Sequence, residues 1–301
     1  MDFIDAKALR HFLTVVRHGS FRAAAEQLNV APSAVSRQIA DLEYEIGLPL
    51  FERTARGATL TPAGSLLLEH GRRVTEEGGL LREELDRLKG GEQRRVAIVC
   101  GEGFVGDLID NGLAPFFTVY PHVRHALQLA GTDAIVEAIA NGEADIGLVY
   151  NPPVETRIRS IAIKRQPLCM VTRKDDALLN AGRADLAAGL HRPLALLTEG
   201  HGTRQLVARM AADAGLAIAP VLETQSIDAL RRFAMSGGVT FLPHFAVANE
   251  IAAGLLGASE LDHPLALQAS AHLIVRAHRR LPTSVDNLAS HLSQNMAAFR
   301  L

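Results

Sequence analysis

The sequence lacks most of the features that would place it in a class at a glance. It holds two cysteines, Cys100 and Cys169, too few for a disulfide framework. The simplest compartment for such a chain is the cytoplasm. No apolar run approaches the roughly 20 residues a membrane helix needs. The opening MDFIDAKALRHF is amphipathic and not signal-like, so no membrane partner is expected. Neither sign of charge dominates: 31 Lys and Arg against 33 Asp and Glu leave a formal net charge of −2. Nothing global therefore draws the molecule to nucleic acid, and any such affinity must come from a local patch.

Catalytic and metal chemistry are equally thin. His122 with His125, and His272 with His278, lack accompanying cysteines and a ligand-like spacing. No nucleophile-elbow motif supports Ser–His–Asp catalysis. The glycines of GEGFVG (101–106) follow a candidate strand but lack the G-x-G-x-x-G spacing of a dinucleotide site. Cys100 closes one candidate strand and Cys169 lies within another, as buried inert thiols do. No catalytic residue, metal ligand or cofactor is expected. An enzyme or solute-binding module with a helical appendage would have only Glu102 and His201 to work with. A dimeric scaffold that binds no DNA is a third reading.

The 301 residues suffice for two or three domains with separate cores. Asp5 can cap a first helix whose stripe is Leu9, Phe12, Leu13 and Val16, with Gly19 as its stop. Ser20 can cap a second, with Phe21, Ala24, Ala25 and Leu28 facing inward. Asn29-Val30-Ala31 breaks that helix, and Pro32 suits the first position of a third. There Val35, Ile39, Leu42 and Ile46 recur at helical spacing and turn Ser33, Ser36 and Arg37 outward. Two short helices joined tightly, the second tipped with small polar groups and an arginine, fit a helix-turn-helix. On this stretch alone an ordinary helical hairpin fits equally well.

The following residues favour the first reading. LPLFERTARGATLTPAG (48–64) reads as a short strand, a basic turn and a second strand at Ala58–Leu60: a β-wing carrying Arg53 and Arg56. A helix then runs from Pro62 to Leu88. Leu67, Gly71, Val74, Gly78, Leu81, Leu85 and Leu88 recur along it in steps of four and three, as a coiled-coil seam does. The mid-helix pair Gly78-Gly79 costs about 1 kcal/mol per glycine relative to alanine, so a partner chain is expected to support this helix. Dimerisation through Leu67, Val74, Leu81, Leu85 and Leu88 would also supply two recognition helices.

Phe12, Gly19-Ser20-Phe21, Ala24-Ala25, Leu28, Ala34 to Ile39, Leu42-Glu43, Gly47, Leu50 to Arg53 and Leu60 to Gly64 resemble the N-terminal signature of the LysR-type transcriptional regulators. The resemblance implies an all-α winged helix-turn-helix N-terminal domain (1–61) and a long linker and dimerisation helix (62–93). An α/β two-lobed effector domain resembling periplasmic binding proteins (94–301) would follow. Lobe I would hold 94–165 and 269–301, and lobe II 166–268. It implies a DNA-binding regulator whose promoter activity answers to a small-molecule effector, with no enzymatic activity. The implied partners are double-stranded promoter DNA, the effector and the chain itself as homodimer or homotetramer, with RNA polymerase a further one at the promoter. DNA contacts are expected from Arg22, Pro32, Ser33, Ser36, Arg37, Gln38, Arg53 and Arg56. Many members carry a Ser/Thr–Gln pair where this chain has Ala31-Pro32. Ala31 supplies no side-chain cap and Pro32 cannot hydrogen-bond a base, so reading leans on Ser33, Ser36 and Arg37.

Beyond the linker, strands and helices alternate. Strands are expected at Val96–Val99, Arg124–Leu129, Asp145–Tyr150, Leu168–Thr172, Leu194–Leu197, Val221–Thr224, Val239–Leu242 and Ala269–Val275. Helices are expected at Val105–Val119, Asp133–Ala140, Arg204–Ala214, Ile227–Ser236, His244–Ala253 and Ser284–Ala298. That alternation implies parallel α/β layers. Open sheets of this kind bind ligands beyond the carboxyl ends of their strands, against helix N-termini. The loops in that position, with the resemblance, implicate Glu102, Gly103, Thr132, His201 and Thr203. Helix capping is an equal reading for Thr132 and Thr203. Glu102 would repel an anionic effector, which favours a neutral or amine-bearing one unless Arg204 offsets it.

Overall fold

The computed structural model describes residues 4–54, 57–88, 95–277 and 280–300. Arg56, His278 and Arg94 lie outside the described residues, as do the side chains of Arg53 and Leu88. The chain forms two compact units, Met1–Lys89 and Gly90–Leu301.

In the first unit, α1 (Ala6–His18) begins where Asp5 accepts from Ala8 N–H and ends at Gly19 in the left-handed region. In α2 (Phe21–Leu28), Ser20 accepts from Ala23 N–H. The next helix, α3 (Pro32–Ile46), has no side-chain cap at Ala31 and opens on proline, whose missing N–H needs none. Ala24 and Ala25 are buried, as are Val35, Ile39 and Leu42 of α3 and Leu9, Phe12 and Val15 of α1; together they form one core. The wing is an antiparallel pair, β1 (Phe51–Thr54) and β2 (Gly57–Leu60), with Phe51 opposite Leu60. Phe51 joins it to the helices, its ring 5.2 Å from Phe12 and 5.5 Å from Phe21.

Glu43 pins α3 to the wing. Its Oε1 accepts from Leu50 N–H at 2.7 Å and Phe51 N–H at 3.2 Å. Glu43→Ala strands both donors, and the expected loss is about 1–3 kcal/mol. Urea unfolding of the full chain reads it, and Glu43→Gln, which keeps one acceptor oxygen, should lose less.

The long helix α4 (Pro62–Leu88) departs from the expected seam at its start. Leu67 is only 6 % exposed and belongs to the unit's own core, so it is not free to meet a partner chain. Gly71 lies against Leu9 and Leu13 of α1, where a Cβ would sit 2.9 Å from a Leu13 methyl. Of the described seam leucines and valine, the exposed ones are Val74, Leu81 and Leu85; Leu66, off the seam, is exposed too.

The second unit is built on two sheets. The first has the order β4 (His125–Leu129), β3 (Val96–Cys100), β5 (Ile146–Tyr150), β12 (Ser270–Arg276), β6 (Ile158–Arg165). A turn of 3₁₀ helix (Glu102–Phe104), α5 (Val105–Asp107), a π-helical turn (Leu108–Leu113) and α6 (Ala114–Val119) occupy the expected Val105–Val119 helix. The widened turn precedes Pro115, which has no N–H to return to Asn111. Between β4 and β5 lies α7 (Thr132–Asn141).

The second sheet places β7 (Leu168–Arg173) between β10 (Thr240–Pro243) and β11 (Leu256–Glu260). A parallel bridge, Leu194 to Val239, connects it to the pair β8 (Ala195–Leu197) and β9 (Leu222–Thr224). Around it stand α8 (Leu186–Leu190), α9 (Gly202–Asp213), α10 (Ile227–Met235), α11 (Ala248–Ala252) and α12 (Pro264–Gln268), while α13 (Thr283–Asn295) closes the chain. The chain leaves the first sheet after Arg165 and returns at Ser270. The two crossings meet where Gln166 N–H donates to Ala269 O at 2.8 Å.

Two expectations are corrected. The layers are mixed: β12 runs antiparallel to β5 and β6, and β7 antiparallel to β10 and β11. Strands β6 and β11 are not among the expected ones. In β6, Arg159, Lys164 and Arg165 interrupt the apolar run, because this edge strand is half in solvent. Gly257 and Ser259 hide β11 in the same way.

Candidate functional site

Two surfaces carry candidate residues, one in each unit. On α3, Pro32, Ser33 and Arg37 are exposed while Ser36 and Gln38 are half-buried, so the first two turns present a small polar face ending in a guanidinium. Arg22 of α2 is exposed too and leans on Glu26, 3.5 Å away and one turn on. Such an exposed pair is worth well under 1 kcal/mol, so Arg22 exchanges partners at little cost. Arg53 has its backbone in β1, opposite Ala58.

In the second unit a cavity of about 330 Å³ opens between the two sheets. That is the small end of the ligand-pocket range, sized for a metabolite. Glu102, Gly103, Thr132, His201 and Thr203 all line it. The sequence does not single out the cavity's apolar wall, which includes Phe104, Leu129, Ile135, Tyr150 and Phe245. Their hydrophobicity marks them as core, and nothing in a single sequence separates a core side chain from one that faces an empty cavity.

The elements around it are tied across the cleft. Thr132 Oγ1, at the start of α7, accepts from Gly202 N–H at 2.7 Å, the first amide of α9. Asp133 N–H donates to Gly200 O at 3.1 Å, and Gln205 Nε2 donates to both Asp133 carboxylate oxygens at 3.0 and 2.9 Å. The rings of Phe104 and Phe245 meet at 4.6 Å, tilted by 33°. Thr132 thus satisfies a helix other than its own: α7 is capped by Gly131 with no side-chain bond. Thr203 caps nothing either. It lines the cavity, is 7 % exposed, and its buried hydroxyl has no hydrogen-bond partner. A buried hydroxyl left so costs about 1–3 kcal/mol.

His201 Nδ1 lies 3.0 Å from Thr198 O. Its Nε2 lies beside Gly131. Glu102 is held in place by hydrogen bonds from the other side of the cleft. Its carboxylate accepts from Ser226 Oγ at 3.2 Å and from the amides of Ile227 and Asp228, the first two of α10. Arg204 plays no part in this, since it faces Glu223 at 3.7 Å. Cys100 and Cys169 are buried, and burial pushes both thiols up to about 12, so neither is a ready thiolate. Among the described residues no group of histidine, cysteine and carboxylate side chains could hold a metal. No described helix is long and apolar enough to cross a membrane.

The sequence matches two family profiles. Residues 6–65 match that described as bacterial regulatory helix-turn-helix protein, lysR family, and residues 89–297 the LysR substrate binding domain. The HTH-type transcriptional activator CmpR of Synechocystis sp. is 28 % identical over 288 residues, covering 93 % of each chain. A full-length OxyR variant from Pseudomonas aeruginosa superposes with a TM-score of 0.67 at 21 % identity, over 98 % of this chain and 96 % of that one. Full-length CbnR, solved in complex with its target DNA, gives 0.54 at 21 % identity over 97 % and 99 %. A helix-turn-helix unit joined to a substrate-binding unit through one continuous match places the chain in its family: it belongs to the LysR family of DNA-binding transcriptional regulators, with a domain for a small-molecule effector.

Proposed function

We propose that the regulator works in the cytoplasm as a dimer, or a pair of dimers, on promoter DNA near RNA polymerase, and that an effector in the 330 Å³ cavity sets its output. The division of labour follows 1–61 as DNA-binding head, 62–93 as linker and 94–301 as effector domain, with lobes 94–165 plus 269–301 and 166–268. In this reading Ser33, Ser36, Arg37 and Gln38 face base edges in the major groove. Arg22, Arg53 and Arg56 meet phosphates, which adds salt dependence without sequence selectivity. Pro32 sets the start of the helix. Val74, Leu81, Leu85 and Leu88 pair with a second copy, which spaces two recognition helices about 34 Å apart or a multiple of it.

The observation that carries the effector half is Thr203, whose buried hydroxyl has no partner, in the lining of a cavity that also gathers Glu102, Gly103, Thr132 and His201. A ligand there changes how firmly α9 and α10 hold to the opposite lobe. The linker helices pass the change on, and a coupling of about 1–3 kcal/mol is enough to switch a promoter.

Arg37→Ala tests the DNA half. Arg37 is exposed on α3, so its loss leaves the fold intact. Losing a bidentate guanine contact should remove about 1–3 kcal/mol of discrimination, roughly five- to 150-fold. Footprint titration on DNA flanking the regulator's own gene reads it; an unchanged footprint at unchanged concentration would count against α3 as the reader.

A further inference from the structure

We infer that Glu102 is a resident anion: it fills the N-terminus of α10 from the opposite lobe, and thereby limits the cleft to apolar ligands with a single acidic or acceptor group. The inference rests on the reading of the cavity as the effector site and specifies the class of compound it takes.

Three amides open α10, and each has a partner. Ile227 and Asp228 N–H donate to Glu102, and Ala229 N–H donates to Ser226 Oγ. Ser226 in turn donates its own proton to Glu102. The partial positive charge of a helix start, which elsewhere attracts a ligand anion, is spent on a side chain. Glu102 arrives from the turn after β3, and α10 belongs to the sheet on the far side of the cleft. The same bonds that hold its charge in place therefore also fasten the lobes together.

The α9 end is different. His201 supplies no side-chain cap there. Thr132 takes the Gly202 amide, and Thr203, which lines the cavity, has a buried hydroxyl without a partner. This end keeps capacity for one acceptor. Between the two ends the wall is apolar and aromatic, with Phe104, Ile135, Tyr150 and Phe245, and among the described residues no lysine or arginine lines the cavity. A ligand with one carboxylate finds Thr203 and the α9 terminus. A second carboxylate at the other end of the ligand meets Glu102, with no cation to separate them.

Benzoate and terephthalate share one aromatic body and differ by one carboxylate, so they isolate this effect. Thermal melting of the full chain with each should stabilise the wild type with benzoate, and with terephthalate only at a concentration at least tenfold higher. Glu102→Ser removes the carboxylate and frees the α10 amides, so terephthalate should then act at a concentration at least tenfold lower than on the wild type. Glu102→Gln, neutral but of the same length, should fall between. Ala130→Phe fills the cavity and serves as the control for location. Equal response of the wild type to both compounds overturns the inference, as does a Glu102→Ser chain with the wild-type preference. If Ala130→Phe abolishes that equal response, the cleft remains the ligand site and only the charge rule is lost. If Ala130→Phe leaves the shifts intact, the cleft reading itself fails. No shift with either compound in any of the proteins overturns the ligand class.

Discussion

Gly202→Ala is expected to uncouple the two sides of the cleft. A Cβ on Gly202 would sit 2.1 Å from the carbonyl oxygen of Tyr150 and 3.0 Å from Thr132 Oγ1. The first of these atoms cannot yield, because Tyr150 ends the fully buried strand β5 and pairs with Ala271 of β12. Helix α9 has to withdraw instead. Withdrawal breaks the 2.7 Å bond from Gly202 N–H to Thr132 and pulls on the Asp133–Gly200 and Gln205–Asp133 bonds that start from the same turn. The bonds are worth about 0.5–1.5 kcal/mol each, and a forced overpacking typically costs about 1–3 kcal/mol. The effector domain should therefore melt several degrees lower. Benzoate stabilisation should weaken by at least tenfold in concentration, since about 1.4 kcal/mol is a factor of ten. Differential scanning calorimetry with and without benzoate measures both. A Gly202→Ala chain that melts and responds like the wild type would mean that the close approach of α9 to β5 does not hold the site.

The second large effect is expected in the head. Phe12 is fully buried at the centre of its core and packs on Phe51, which ties the wing to the helices. Phe12→Ala should cost about 3–5 kcal/mol. The head core is small, and a domain's whole stability is about 5–15 kcal/mol, so the head should unfold in far less urea. DNA binding should fail at moderate temperature. The effector domain has its own cores and should keep its transition. Urea unfolding followed by far-UV dichroism separates the two. Loss of both transitions together would contradict the independence of the units.

The head was legible because each of its cues is local. Asp5, Ser20, Pro32 and Gly47 mark helix ends within four residues of where they act. The apolar spacing of Val35, Ile39 and Leu42 then settles which face of α3 is turned outward. Leu67 misled because seam and core obey the same periodicity: it fits the heptad and is used against α1 instead. Strand direction in the effector unit was not local. Whether β12 runs with or against β5 depends on a chain that leaves at Arg165 and returns at Ser270, about a hundred residues later. The cleft residues were legible as loop positions after strands. Their partners were not: that Glu102 would meet α10, 125 positions on at Ile227, is a product of tertiary closure.

The central claim is that this chain reads DNA through α3 and that occupancy of its cleft alters the reading. One footprint titration on the DNA flanking its own gene, run with and without benzoate on wild type and Gly202→Ala side by side, tests it most directly. Protected patches about one helical turn apart, or a multiple of it, are expected for both proteins, with a pattern that changes with benzoate in the wild type alone. Absence of protection by the wild type, or an identical benzoate response in both chains, would contradict it.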